Sequence, residues 1–154
     1  MKKIELFTLH NDRNESVLDS EILNWRSYYP SDNIDIFGPI TSYSWFVDGI
    51  TYQEQKLPNQ SWQLLPDASG FICFESDWKP DNCILLDVFG KERKRLMVPW
   101  QITKQMNPES AVAPTSFCNI SKPYTNPING NHGVFGVTAW VEHAGKYYYE
   151  LDYR

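Results

Sequence analysis

From Ile34 to the C-terminus, a turn signal interrupts the chain about every 8–12 residues, a cadence that suits short antiparallel strands. The sharpest signal lies in SYSWFVDGITYQEQ. There Asp48-Gly49 fits a two-residue type I′ turn, whose two central residues both need positive φ. That turn sets Val47 opposite Ile50, Trp45 opposite Tyr52, and Tyr43 opposite Glu54. One face then carries Tyr43, Trp45, Val47, Ile50 and Tyr52. The other carries Ser44, Thr51 and Gln53, with Phe46 the exception. Segregation of this kind predicts a hairpin with one buried face.

SWQLLP and GFICFES are further strand candidates, punctuated by Pro66, Gly70 and Pro80. NCILLDVFGKERKRLMVPW reads as a second hairpin. Its turn DVFGK has the same form as EHAGK near the C-terminus: an acid, two residues, Gly, Lys. A three-residue loop closed by a G1 bulge wants glycine at its last position. Asp87 then faces Lys91, and Glu142 faces Lys146. In the C-terminal hairpin the same rule sets Val141 opposite Tyr147, Ala139 opposite Tyr149, Val137 opposite Leu151, and Phe135 opposite Tyr153. The reverse face pairs Trp140 with Tyr148, Thr138 with Glu150, and Gly136 with Asp152. Tyr147, Tyr149 and Tyr153 are therefore expected in the core, and Tyr148 outside.

Two stretches break the cadence. After a first strand over residues 4–10, Ser16 and Asp19 resemble a capping box, and Leu18, Ile22, Trp25 and Tyr29 follow 4-3-4 spacing up to Pro30. This pattern predicts a helix over residues 17–28. Residues 103–133 show neither period and are rich in Pro and Asn, so they read as a long loop, covering the sheet or recognising a partner. The expectation is an α+β, mainly β fold: an antiparallel meander or partly closed barrel of about 7–9 strands, with one N-terminal helix packed on it. The length of 154 residues suits a single domain over 1–154.

Aromatics make up 15% of the chain and the net charge is −5, a balance that argues for a folded protein and against a nucleic-acid binder. The N-terminus lacks the apolar core of a signal peptide, so the expected location is cytoplasmic, with Cys73, Cys83 and Cys118 reduced. No His-x-x-x-His or Cys-x-x-Cys spacing points to a metal, and no phosphate-loop, dinucleotide or Gly-x-Ser-x-Gly pattern points to a cofactor or a nucleophile. No metal, cofactor or catalytic residue is assigned. Cys118 with His132 is a conceivable Cys–His pair, against the plainer reading of Cys118 as a buried thiol. Glu150 and Asp152 stand about 7 Å apart along a strand, within the range of glycosidase carboxylates.

The run GKERKR projects Lys91, Arg93 and Arg95 from one face in this register. They form an alternative basic surface for phosphate, or a charged guard on an edge strand. On the C-terminal hairpin, Trp140, Glu142, Tyr148, Glu150 and Asp152 share the outward side. Aromatics flanked by acids suit a basic protein partner, anchored by the rings and steered by the charge. In size, acidity and aromatic content the chain is similar to the immunity proteins that neutralise secreted bacterial toxins. The similarity is carried by character, not by any motif. It implies a non-enzymatic, cytosolic protein-binding protein that occludes its partner. The alternative is a small β-barrel enzyme or ligand-binding protein acting on a carbohydrate or other small molecule.

Overall fold

In the computed structural model, the described residues are 1–21, 37–77, 79–99, 114–121, 124–125, 132–133, 135–141 and 145–153. They form thirteen strands in four antiparallel sheets and contain no α-helix. No described helix is long and apolar enough to cross a membrane. None of the sheets closes on itself, so the partly closed barrel of about 7–9 strands gives way to layered open sheets.

The first sheet has the order β2-β1-β3-β4, built from β1 (Glu5–Asn11), β2 (Ser16–Leu18), β3 (Ile40–Val47) and β4 (Ile50–Gln55). The β3–β4 hairpin has the register expected from Asp48-Gly49. Val47 faces Ile50, Trp45 faces Tyr52 and Tyr43 faces Glu54, and both turn residues have positive φ. Tyr43, Trp45 and Val47 are each 1% exposed, whereas Ile50, at the hairpin tip, is exposed.

The helix expected over residues 17–28 is corrected at its start. Val17 and Leu18 are in a strand, paired with Leu9 and Thr8. Residues 19–21 make one 3₁₀ turn, and the rest of the expected helix lies outside the described residues. The cause is side-chain capping of a tight turn. Asn11 Oδ1 accepts from the main-chain N–H groups of Arg13 at 3.0 Å and Glu15 at 2.8 Å. Its Nδ2 donates to the Phe37 carbonyl at 2.7 Å. Asparagine favours this local bonding over helix. The turn folds residues 16–18 back onto β1, where Val17 is buried.

The second sheet has the order β5-β6-β7-β8, from β5 (Gln60–Leu64), β6 (Phe71–Glu75), β7 (Cys83–Leu86) and β8 (Glu92–Leu96). It is covered on both sides. Trp62, Phe71, Cys73, Ile84 and Leu86 meet Phe7, Leu9, Tyr43 and Trp45 of the first sheet. Ile72, Phe74, Cys83 and Leu85 meet Phe117, Phe135, Val137 and Ala139 of a third. This explains why FICF and CILL do not alternate: a strand buried on both faces is apolar at every position. Cys73 and Cys83 belong to opposite faces of this sheet, and all three cysteines are free thiols.

The third sheet, β13-β12-β9, joins β9 (Pro114–Ser121), β12 (Gly136–Val141) and β13 (Gly145–Glu150). A two-stranded ladder pairs β10 (Tyr124–Thr125) with β11 (His132–Gly133). The stretch 103–133, expected as loop, thus contains an eight-residue strand and two short ones. β9 lacks a visible period because its pairing with β12 shifts register twice. Each shift moves side chains between faces, so a bulged strand escapes a period-2 search.

The C-terminal hairpin forms as expected, with its register displaced by two residues. Val137 faces Tyr149, Ala139 faces Tyr147, Trp140 faces Lys146 and Val141 faces Gly145. Gly145 keeps a left-handed φ of +92°, but as the first residue of β13 and not as the last of the loop. A shift of two preserves which face each side chain occupies. The expected contrast among the tyrosines is absent. Tyr147, Tyr148, Tyr149 and Tyr153 are all half-buried, because β13 is the outer strand of its sheet and only partly overlies the core.

Candidate functional site

An open cleft of about 390 Å³ draws its lining from the second and third sheets and the segments beside them. Lys56 and residues 59–61, at the start of β5, line it. So do Phe74, Glu75 and Ser76, at the end of β6, and Asn82. Ser116, Phe117 and Cys118 of β9 and Trp140 of β12 complete it. Trp140 is 38% exposed, and Ser116, directly across the ladder from it, is buried.

The charges at the cleft are set by Glu75. Its carboxylate is 2.6 Å from Arg95 Nη1 and 3.2 Å from Lys79 Nζ. Burial by itself would raise this carboxyl. The hydrogen bonds and charges of Arg95 and Lys79 outweigh it and hold the group below the usual glutamate range. Lys56 has a different partner: its Nζ donates to the Leu57 carbonyl at 3.2 Å. Cys118 places its Sγ 3.4 Å from the Thr138 carbonyl. Partial burial raises its thiol, with Lys146 acting in the opposite sense.

The hairpin residues singled out from sequence are distributed as follows. Trp140, Lys146, Tyr148 and Glu150 share the side of the third sheet away from its core. Glu150 and Asp152 are exposed, while Glu142 lies outside the described residues. Thr138, in the middle of that side, is 5% exposed, so the open surface is Trp140 at one end and the β13 side chains along the edge. Lys146, and not an acid, stands opposite Trp140.

The basic run is used piecemeal. The β7–β8 pairing shifts register near Glu92, and Glu92 reaches Arg95 at 3.6 Å across a three-residue step. Arg95 turns to Glu75 and to the Asp81 carbonyl, Arg93 donates to the Tyr153 carbonyl, and Lys91 remains exposed. Asp87 does not serve as an ion-pair partner of Lys91. Its Oδ1 accepts from the main-chain N–H groups of Phe89 at 2.8 Å and Lys91 at 3.0 Å. Among the described residues no three His, Cys, Asp or Glu side chains gather as a metal site.

The cleft residues other than Cys118 and Trp140 escaped the sequence reading. PNQS, which runs from the β4–β5 connection into β5, looks like any turn, and Asn82 and Ser116 carry no spacing that ties them to Trp140. Comparison with known protein families, curated proteins and solved structures gives no match.

Proposed function

We propose that the protein is a non-enzymatic protein-binding protein that occludes a basic partner, as an immunity protein occludes a bacterial toxin. The observation that carries this reading is Trp140: a large aromatic, 38% exposed, on the side of its sheet turned away from the core. Tryptophan is among the residues most enriched at binding hot spots. Tyr148 and Glu150 share that side, Asp152 follows β13, and the net charge of −5 gives a field that attracts a basic surface.

The test begins with a pull-down from the native organism and identification of the bound chain. Trp140→Ala is then expected to weaken binding by about 2–4 kcal/mol, and Glu150→Gln to slow association at low salt. Thermal melting checks that both variants are folded. If both bind like the unsubstituted protein, the partner surface lies elsewhere and the reading fails.

A further inference from the structure

The cleft has a chemistry that the outer side of the hairpin does not share. Asn59, Gln60, Ser61 and Ser76 all line it, and none of their side chains has a hydrogen-bond partner among the described residues. Two carboxamides and two hydroxyls thus offer a mixed set of donors and acceptors. They share the cleft lining with Trp140, which is 38% exposed. The Glu75 carboxylate is already held by Arg95 and Lys79. Among the described residues Lys56 has only the Leu57 carbonyl as partner, so the charge they leave to a ligand at this cleft is positive, on a chain of net charge −5.

These features exclude several occupants. An apolar ligand would strip water from four polar side chains and give nothing back. A cation would find, among the described lining residues, only the Glu75 carboxylate, which is already paired. A pyranose ring fits the whole set. Its C–H face is apolar and flat enough to stack on an indole, and its hydroxyl rim both donates and accepts. The cleft volume is at the lower end of the roughly 300–1,000 Å³ typical of small-ligand sites.

We infer that the cleft is a saccharide site. A pyranose ring stacks on Trp140, and its hydroxyls bond to Asn59, Gln60, Ser61 and Ser76. A carboxylate on the ring, when present, meets Lys56. The site goes beyond the partner-occlusion reading and shares only Trp140 with it.

Cellotetraose and its C6-oxidised glucuronate counterpart, which differ only in the carboxylates, are suitable probes. Each would be titrated by calorimetry while the tryptophan indole N–H resonances are followed by NMR. Both are expected to bind, with one indole resonance moving, and that resonance is absent from Trp140→Ala. The oxidised probe binds several-fold more tightly, and Lys56→Gln removes the advantage. Trp140→Ala and the double variant Asn59→Ala/Gln60→Ala each weaken binding about tenfold or more. Glu150→Gln leaves saccharide binding unchanged, which separates this site from the partner surface. Thermal melting confirms that each variant is folded. Absence of heat and of any indole shift with both probes up to about 10 mM overturns the proposal. So does binding that is indifferent to Trp140→Ala. Equal affinity for the two probes removes the role of Lys56.

Discussion

The Asn82 carboxamide pairs with both main-chain groups of Phe117: Oδ1 accepts from the Phe117 N–H at 2.7 Å, and Nδ2 donates to the Phe117 carbonyl at 2.8 Å. This is the bonding pattern of a β-bridge, made by one side chain. It occupies the outer edge of β9 and fixes the third sheet to the second, because the same Nδ2 also donates to the Glu75 carbonyl at 2.8 Å. Asn82 is 2% exposed, so water cannot substitute for it. Asn82→Leu strands these main-chain groups and is expected to lower stability by about 2–4 kcal/mol, read from urea unfolding. Asn82→Asp keeps the acceptor but has no N–H to donate, and should fall between the two. If Asn82→Leu unfolds at the same urea concentration as the unsubstituted protein, the bridge contributes nothing.

Gly49 and Gly90 provide a controlled comparison. Their φ values are +78° and +77°, so an alanine meets the same backbone strain at each. A Cβ at Gly49 would touch nothing within 4 Å, whereas one at Gly90 would lie 2.9 Å from Trp62 and 3.3 Å from Trp45. Gly49→Ala is expected to cost about 1 kcal/mol and Gly90→Ala clearly more, since two buried rings must move. Equal losses in melting temperature would show that the turn is not pressed against those rings.

Trp45 donates its indole N–H to the Val88 carbonyl at 2.7 Å, fastening the first sheet to the β7–β8 turn. Trp45→Phe keeps most of the apolar volume and removes that donor, leaving a buried carbonyl unpaired. A loss of about 1–3 kcal/mol is expected. A loss well below that range would mean the carbonyl finds another donor.

The folded-state pKa of Glu75 is depressed, so the stability it contributes is complete above the ordinary glutamate value of 4.5. That stability is lost as the pH falls through the lower folded value. Glu75→Gln should therefore flatten the dependence of stability on pH on the acid side of 4.5 and reduce stability at neutral pH. Parallel stability–pH curves for the two proteins would assign the acid lability to other carboxylates.

The three thiols should separate by reactivity. Burial pushes Cys73 up to about 12 and Cys83 upward as well, and both are buried in the central sheet. Cys118 is exposed. A thiol reagent is expected to modify one equivalent in the folded protein, mapped to Cys118, and three in denaturant. Rapid native labelling of Cys73 or Cys83 would show that the central sheet opens.

Turn chemistry was legible in the sequence wherever neighbouring residues alone set the geometry. Asp48-Gly49 settled the β3–β4 register because positive φ at two adjacent positions admits few alternatives. Gly90 and Asp87 likewise specify their loop from within it, and the alternation of the C-terminal strands survived a two-residue error because the face of each side chain depends only on parity. What remained to the tertiary structure was everything that depends on distant surfaces. Residues 17 and 18 carry part of a helical stripe, yet Asn11 and the edge of β1 make them a strand. FICF and CILL name their burial but not the two sheets that cover them. β9 hides its pairing behind bulges. The cleft gathers Asn59 and Gln60 with Ser116 and Trp140 from strands far apart in the chain, beside the Asn82–Phe117 bridge. A pattern within a segment records which of its faces is apolar. It cannot record which other segment will cover that face, because that is decided by burial and hydrogen bonds summed over the folded chain.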